Sequence, residues 1–318
     1  MDRTSPPTPA VSVENLVKRY GSFVAVDHLS LSIRPGEVFG LLGPNGSGKT
    51  TTIDCILQLL TYDKGDIELF GEPMSPTSYA LKRRVGVVPQ NIAVFDELTV
   101  RENIDFFCGL YVADRAERAR CVDAAVDFCG LGEFVSWRPR KLSGGLLRRL
   151  NIACGIAHRP DLAFFDEPTV AVDAQSRAQI LSGIRSMNEA GTTVVYTSHY
   201  MEEVEELCSR VAILDHGRII AQGTVDELKA QVRIGETVSI ELATLPAGLE
   251  GRIEALPECR EVSYTDGTLQ VRCANGPHNL LDVLGAVRDC HGTPGRVWSE
   301  PPTLNDVFLE LTGRKLRD

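Results

Sequence analysis

The chain has 318 residues, of which 43% are hydrophobic and 24% are charged, and its formal net charge is −10. These values are ordinary for a globular protein of about two domains and argue against a disordered or low-complexity chain. The acidic balance argues against general nucleic-acid affinity, because duplex binding depends on Lys and Arg. The nine cysteines form no CxxC pair, which indicates reduced thiols in the cytosol rather than a disulfide framework or a zinc site.

The chain contains several short basic runs but no segment with the features of a membrane span or a signal peptide. No apolar run approaches the roughly 18 residues of a membrane span, and the first ten residues contain prolines where a signal peptide would have an apolar core. We therefore expect residues 1–10 to form a disordered tail and the chain not to cross a bilayer itself. Basic runs at 82–84, 138–141, 148–149 and 314–317 are interpreted as solvated faces, or alternatively as contacts for an acidic partner or lipid headgroups.

The N-terminal part predicts a β-rich lobe followed by a phosphate loop. Residues 11–38 alternate as strands, and the apolar strand VFGLL leads into GPNGSGKT at 43–50, which fits GxxxxGK[ST]. An apolar helical pattern follows, so the context is strand, loop and helix. In such a loop the glycine backbone and the helix N-terminus receive phosphate oxygens. Lys49 is then expected to hold the β- and γ-phosphates, and Thr50 to bind Mg²⁺.

A helical insertion follows Gln90. Residues 91 to about 142 change character: Thr99 and Glu102 form a capping box, and apolar residues then recur at helical spacing. At its end, Ser143 in LSGG precedes LLRRLNIA and would cap a helix in any protein.

The segment FFDEPT at 164–169 predicts the second half of the phosphate site. LAFF reads as a buried strand that brings Asp166 and Glu167 to its C-terminal edge, where ligands bind in open α/β sheets. Asp166 suits a Mg²⁺ shell, and Glu167 is placed to polarise a water that attacks the γ-phosphate. His199 ends the next apolar strand, TTVVYTS. Alone it would be interpreted as structural.

Taken in order, GPNGSGKT, VVPQ, LSGG, FFDEPT and TSH resemble the Walker A, Q-loop, signature, Walker B and switch-histidine elements of ATP-binding cassette (ABC) ATPases, over about residues 11–232. The resemblance implies an α/β phosphate-loop NTPase fold: a mixed sheet core, an N-terminal β lobe and a helical subdomain at about 91–142. It also implies that ATP and Mg²⁺ are the cofactors.

The resemblance assigns roles residue by residue. Glu167, His199 and Gln90 would be catalytic, with His199 on the γ-phosphate and Gln90 on Mg²⁺ and the attacking water. Thr50, Gln90 and Asp166 would hold the metal. The implied nucleotide-binding residues are Tyr20, on which adenine would stack, the loop residues Gly43, Pro44, Asn45, Gly46, Ser47, Gly48, Lys49, Thr50 and Thr51, the signature residues Ser143, Gly144 and Gly145, and Asp173 of the D-loop.

The signature also implies a partner and contains one departure from the family. Its serine and glycines would bind the γ-phosphate of ATP held by a second copy, so a homodimer is expected. The family motif usually reads LSGGQ, whereas this chain has Leu146 in the last place. Because Ser143, Gly144 and Gly145 are retained, we expect hydrolysis to survive; the alternative is a nucleotide-binding regulator.

The last 85 or so residues predict a separate accessory domain at 234–318. Strands and helices in the order βαββαβ indicate a ferredoxin-like domain, with a turn at Asp266-Gly267. A final helix starts at the capping box of Thr303 and Asp306 and should dock through Leu304, Val307, Phe308 and Leu311. No catalytic constellation occurs there. Together with the segment that follows His199, the ending resembles the ATPase subunits of drug-resistance-type (daunorubicin-resistance-like) exporters, whose membrane permease is a separate chain.

These resemblances therefore imply an ATP-hydrolysing subunit of an ABC exporter that is peripheral on the cytoplasmic face of the cell membrane. It would power a separate permease that exports drugs, lipids or other hydrophobic compounds. Phe95 and Leu98 could form the permease-docking groove or simply pack inside the insertion. Three alternatives stay open. A non-transport ABC ATPase that acts on DNA or ribosomes would be expected to contain a long coiled coil or two tandem cassettes, and this chain shows neither. A small-molecule phosphotransferase would use the phosphate loop without LSGG or His199. An importer ATPase would share the core motifs of this chain.

Overall fold

The structure is a computed structural model that describes residues 7–232, 235–274 and 276–313. Residues up to Val225 form one compact unit and residues from Asp226 form another. Most of the predicted tail, residues 1–6, lies outside the described residues, as do Arg233 and Ile234 at the predicted domain boundary and the basic run at 314–317. Ala10, which ends the predicted tail, is already hydrogen-bonded to Ile33 in the first sheet.

The elements of the first unit are, in chain order, β1 (Val11–Tyr20), β2 (Phe23–Ile33), β3 (Val38–Leu42), α1 (Lys49–Ile56), β4 (Lys64–Leu69), β5 (Glu72–Pro73), α2 (Tyr79–Lys82), β6 (Val85–Val88), α3 (Val100–Gly109), α4 (Arg115–Phe128), α5 (Gly144–Ile156), β7 (Leu162–Asp166), α6 (Ala174–Glu189), β8 (Thr193–Ser198), α7 (Met201–Leu207), β9 (Arg210–Asp215) and β10 (Arg218–Thr224). Short 3₁₀ turns cover 132–134 and 139–141.

Two sheets organise this unit. An antiparallel sheet of order β2-β1-β4-β5 forms the N-terminal lobe, and a six-stranded sheet of order β10-β9-β3-β8-β7-β6 forms the core. Strands β3, β6, β7, β8 and β9 run parallel, whereas β10 pairs antiparallel with β9. Every residue of β3, β7 and β8 is buried, as expected for parallel strands covered on both faces. The predicted mixed core and β lobe are therefore confirmed.

The topology of the core sheet places four predicted motifs at one edge. The carboxyl end of β3 leads into the phosphate loop, that of β6 into Gln90, that of β7 into Glu167 and that of β8 into His199. These strands are parallel neighbours, so their carboxyl ends meet on the same side of the sheet.

The segment between Gln90 and β7 is helical, as predicted. Thr99 caps α3 with the full capping box: its side chain accepts from the Glu102 N–H, and the Glu102 carboxylate accepts from the Thr99 N–H. Helices α3, α4 and α5 pack together through buried residues such as Ile104, Val122 and Leu150. Among the described residues, no helix combines the length and the apolarity needed to cross a membrane.

The second unit contains α8 (Val225–Lys229, which begins at the boundary), β11 (Glu236–Leu242), α9 (Leu249–Glu254), β12 (Cys259–Thr265), β13 (Thr268–Cys273), α10 (Asn279–Asp289), β14 (Pro294–Glu300) and α11 (Leu304–Thr312). Its antiparallel sheet has the order β12-β13-β11-β14. This is the order of a split βαββαβ domain, which confirms the predicted ferredoxin-like class. The predicted turn at Asp266-Gly267 is present, with both residues at positive φ.

Helix α11 begins with the predicted capping box of Thr303 and Asp306. Of the predicted stripe, Leu304, Val307 and Phe308 are buried, whereas Leu311 is 46% exposed. The docking stripe is therefore shorter than the sequence pattern suggests.

Candidate active site

The phosphate loop between β3 and α1 requires glycine. Gly48 has φ 104°, and a Cβ there would lie 2.6 Å from the Ala25 carbonyl oxygen, which no side chain tolerates. Within the loop the Ser47 N–H donates to the Pro44 carbonyl, and the Gly217 N–H donates to the Ser47 carbonyl. The Ser47 hydroxyl is buried without a hydrogen-bond partner. A loop with an orphaned hydroxyl and a buried ammonium fits an anionic ligand.

That ammonium belongs to Lys49, the first residue of α1, which is only 5% exposed. Its Nζ donates to the Gly43 carbonyl at 2.8 Å and to the Pro44 carbonyl at 3.2 Å, and it lies 3.4 Å from Glu167 Oε1. Curling the side chain back over the loop places the positive charge at the loop's centre, where phosphate oxygens bind in this motif.

Asp166 ends β7 and is held by two hydroxyls. Thr50 Oγ1 donates to its Oδ2 at 2.8 Å, and Thr197 Oγ1 donates to its Oδ1 at 2.6 Å. Burial and the charge of Asp166 raise the pKa of nearby Asp54. A carboxylate and a hydroxyl in contact are hard oxygen ligands of the kind that Mg²⁺ prefers, so these residues fit the predicted metal role.

Glu167 is the residue on which the predicted elements converge. Its carboxylate, which is buried, accepts from Gln90 Nε2 at 3.2 Å and lies 3.4 Å from Lys49 Nζ. His199 Nδ1 lies 3.5 Å from Oε2 without the alignment of a hydrogen bond. Four motifs separated by up to 150 residues therefore meet at one carboxylate.

The backbone of Glu167 is itself unusual. Its φ is 47°, in the left-handed region that non-glycine residues rarely adopt. The Glu167 N–H donates to Thr197 Oγ1 at 2.9 Å, and the same hydroxyl donates to Asp166. Thr197 thus fixes the direction of both acids. Strain of this kind, held by its surroundings, is typical of functional sites.

The loop that carries Gln90 is anchored by residues that the sequence interpretation missed. Arg148 and Asn151 of α5 each donate to the Pro89 carbonyl at 3.2 Å, and the Ala93 N–H donates to Asn151 Oδ1. The interpretation of the run at 148–149 as a solvated face is wrong for Arg148, which is 7% exposed. Burial lowers the pKa of its guanidinium, while Asp166 and Glu167 act in the opposite direction.

The signature lies at the start of α5. Ser143 caps the helix by accepting from the Leu146 N–H at 3.3 Å, and Ser143 and Gly144 are exposed. Gly145 is buried: a Cβ there would lie 2.3 Å from Ser176 Oγ and 2.7 Å from Asp173 Oδ2. No hydrogen bond or ion pair of the described residues joins Ser143 to Glu167 within this one chain.

The remaining predicted residues lie around this centre. Asp173 caps α6 by accepting from the Ser176 N–H and hydroxyl, which lowers the pKa of its carboxyl. Tyr20 ends β1 half-exposed, with Lys18 Nζ 5.0 Å from its ring centroid. Asn45 and Gly46 form the exposed tip of the phosphate loop, and Thr51 is partly buried in α1.

Two further residues, Thr197 and Glu203, were not predicted. Thr197 could have been noticed as a hydroxyl two residues before His199 at the end of a buried strand. Glu203 lies four residues before Leu207 in α7, on the face that buries Leu207, and it is itself 3% exposed. A charge on the apolar face of a helix was the available signal.

Comparison with known proteins finds family models that match both parts of the chain. Residues 26–170 match the family model described as ABC transporter. Residues 223–312 match the model described as ATP-binding protein DrrA1-3-like, C-terminal domain. Both units of the structure are therefore similar to known families.

Several curated relatives match over almost the whole chain. The linearmycin resistance ATP-binding protein LnrL of Bacillus subtilis is 36% identical over 97% of this chain and 100% of its own length. A Nod factor export ATP-binding protein I of Ralstonia nicotianae is 39% identical over 98% and 96%. The daunorubicin resistance ATP-binding protein DrrA3 of Streptomyces coeruleorubidus is 36% identical over 96% of both chains.

Solved structures match the first unit. An ATP-binding subunit of an ABC transporter has 25% identity and a TM-score of 0.65 over 70% of this chain and 92% of that one. A dimeric ATP-binding cassette in a post-hydrolysis state, bound to ADP and phosphate, has 25% identity and a TM-score of 0.62 over 67% and 98%. The chain therefore belongs to the ABC transporter ATP-binding subunits of the exporter type, and it is an ATP hydrolase.

Proposed function

We propose that this chain is the motor of an exporter whose membrane permease is a separate polypeptide, and that two copies close around two ATP molecules to drive it. The observation that carries this proposal is the convergence of Lys49, Gln90 and His199 on the carboxylate of Glu167.

Each residue around Glu167 then has one task. Lys49 binds the β- and γ-phosphates and neutralises their charge. Glu167 polarises the water that attacks the γ-phosphate, and His199 donates to that phosphate. The neighbours of Glu167 also hold its carboxylate in one orientation, and phosphoryl transfer depends on such positioning of the attacking water.

Thr50, Asp166 and Gln90 are the residues that would hold Mg²⁺. The ion, when bound with ATP, neutralises charge on the phosphate oxygens. Thr197 keeps Asp166 oriented through its 2.6 Å hydrogen bond, so the carboxylate faces Thr50 before any ligand arrives. The side chains of Thr50, Asp166 and Gln90 offer oxygen ligands, which suit a hard cation such as Mg²⁺.

A second copy would complete the site. Ser143 and Gly144 are exposed at the start of a helix of 13 residues, where backbone N–H groups and the helix dipole favour an anion. They are not joined to Glu167 of their own chain, which agrees with a role on the γ-phosphate held by the other copy. Tyr20 is half-exposed and available to stack on adenine.

The names of the relatives support a proposal about the direction and cargo of transport. Their names state resistance to linearmycin and to daunorubicin, and export of Nod factor. On that basis we assign this chain to the export of hydrophobic or amphipathic compounds, acting from the cytoplasmic face of the membrane.

An aromatic cluster at the start of the helical segment is the proposed permease-docking surface. Phe95 is 43% exposed, and its ring centroid lies 4.9 Å from that of Phe106 and 5.8 Å from that of Phe107. The Phe95 N–H is bonded to Asn103, and Leu98 is partly buried beside it. The cluster begins five residues after Gln90, so a partner bound there would act on the loop that contacts Glu167.

The test is recruitment to membranes that contain the cognate permease. Phe95→Asp or Leu98→Asp should lower the bound fraction about tenfold or more, because a charge would be buried in an apolar contact, while nucleotide binding stays unchanged. Tyr79→Asp, an exposed aromatic on α2, is the matched control and should bind normally. Equal binding of all three variants, or strong retention of the wild-type chain in permease-free membranes, would contradict the proposal.

A further inference from the structure

A buried carboxylate outside the proposed catalytic set links the switch histidine to its surroundings. Glu203 in α7 is 3% exposed. Its Oε2 accepts from Thr169 Oγ1 at 2.7 Å, from Tyr196 OH at 2.7 Å and from Ser198 Oγ at 3.2 Å. Thr169 closes the segment that begins with Asp166 and Glu167, and Ser198 directly precedes His199. One carboxylate therefore ties together the two segments that deliver Glu167 and His199.

The other carboxylate oxygen faces helix α6. Arg177 Nε lies 3.1 Å from Glu203 Oε1 as an ion pair, without the alignment of a hydrogen bond. The guanidinium also lies over the Tyr200 ring, 4.7 Å from its centroid, and the His199 and Tyr200 ring centroids are 4.2 Å apart. Arg177 belongs to the first turn of the helix that Asp173 caps. Through Arg177, helix α6, which begins at the D-loop residue Asp173 and is called the D-loop helix below, contacts both Glu203 and the ring of Tyr200.

These contacts have the character of a fixed scaffold. Burial, together with the charge of Glu203, raises the pKa of Tyr196 well above its ordinary value, so the phenol remains a donor. Ser198 passes the restraint on, because its hydroxyl accepts from the Tyr200 N–H at 2.9 Å while donating to Glu203. The backbone on both sides of His199 is thereby held to Glu203.

We propose that Glu203 is a positioning residue for His199 and that Arg177 couples it to the D-loop helix, so that His199 reaches the γ-phosphate only while this network is intact. The inference rests on the proposed γ-phosphate role of His199. Glu203 does not touch nucleotide itself. It acts by fixing the Ser198–Tyr200 backbone against the segment that carries Glu167. A buried carboxylate is destabilising unless hydrogen bonds or an ion pair compensate its charge. The residues that compensate Glu203 belong to the same segments that it holds together.

The experiment measures discrimination between nucleotides with and without a γ-phosphate. Affinities for ADP and for the β,γ-imido analogue of ATP are measured by displacement of a fluorescent nucleotide, in the wild-type chain, His199→Ala, Glu203→Gln and the double variant. Glu203→Gln keeps the size and one acceptor oxygen but loses the charge. The matched control is Glu202→Gln, an exposed neighbour on the same helix.

We expect His199→Ala and Glu203→Gln each to lower the preference for the analogue over ADP, by about 2- to 13-fold, the worth of one hydrogen bond. ADP affinity and the preference of Glu202→Gln should stay at wild-type values. Because Glu203 acts through His199, the double variant should show no further loss. Should Glu203→Gln not fold, Arg177→Met serves instead, since Arg177 is partly exposed, and should lower the same preference.

Two results would overturn the inference in different ways. If His199→Ala lowers the preference but Glu203→Gln leaves it intact, lowers both affinities equally or adds fully to His199→Ala, Glu203 is only a structural residue. If His199→Ala itself leaves the preference unchanged, the proposed role of His199 fails and the inference fails with it.

Discussion

The two units of this chain differ in what they bury. The first unit buries a set of charged side chains at or near the carboxyl edge of its parallel sheet, namely Lys49, Arg148, Asp166, Glu167 and Glu203. In the described part of the second unit, the buried core consists of apolar residues such as Val238, Ile240, Leu269 and Val287, and the buried polar residues are Ser239, Asn279 and Asp306. Both units are folded around apolar cores, but among the described residues only the first unit gathers several buried charges in one place.

This difference separates a unit built for chemistry from one built for packing. Buried charges are destabilising unless they are paired, and Lys49 and Glu167 satisfy that requirement largely with each other and with residues proposed to bind ATP. Asp306, by contrast, is used locally, because it closes the cap of α11 and pairs with Arg272. We infer that catalysis resides in the first unit and that the second contributes stability or assembly.

Ser143→Arg should have the largest effect on that division. Steady-state ATPase activity is expected to fall about 10²-fold or more, because the arginine side chain would occupy the place where a second copy's γ-phosphate meets the signature. Thr99→Arg is the matched control, since Thr99 also caps a helix of the first unit but lies outside the signature. Wild-type turnover in Ser143→Arg would show that the exposed start of α5 is not part of the site.

Leu146→Gln should have a smaller effect. The donors assigned to the γ-phosphate are Ser143 and the glycine backbone, so restoring the family's glutamine adds about one hydrogen bond, worth a factor of roughly 2 to 13. ATPase activity measured by phosphate release should therefore change by less than about tenfold. A gain of about 10²-fold or more from a background level would make the native chain a nucleotide-binding regulator.

Removal of residues 234–318 should change nucleotide binding least. The described part of this segment contains no buried cluster of charges, so affinity for ATP is expected to stay within about twofold of the full chain, below the worth of a single hydrogen bond. Dimer or permease-complex stability should decrease, because the segment includes the packed helix α11. A truncated chain that is folded by circular dichroism yet cannot bind ATP would show that the second unit is required for nucleotide binding.

The sequence predicts the centre of the site better than its supports. Gly48, Lys49, Asp166 and Glu167 lie in motifs whose chemistry depends on local order, and parallel strands bring their ends together. The residues that hold these motifs in place could not be predicted from a local motif. Thr197 and Glu203 act on segments about 30 residues away, and Arg148 reaches Pro89 across the helical segment.

The second unit shows the same limit from another direction. Its βαββαβ order can be predicted from the alternation of apolar residues and from turn residues. Asp-Gly is a typical pair for a tight hairpin turn, and both Asp266 and Gly267 adopt positive φ in the structure. Periodicity, however, marks which face of a helix is apolar and not how far the covering surface extends. Leu311 fits the stripe of α11 and still remains half-exposed.

Glu167 is proposed to polarise the water that attacks the γ-phosphate, and the decisive measurement of that role is the turnover of Glu167→Gln. ATP affinity should be retained, steady-state hydrolysis should fall about 10²-fold or more, and an ATP-bound dimer should accumulate in size-exclusion chromatography. Lys49→Ala, measured in parallel, should instead lose ATP binding, so the two defects separate. Near-normal hydrolysis by Glu167→Gln would contradict the account, because the carboxylate on which Lys49, Gln90 and His199 converge would then have no part in the reaction.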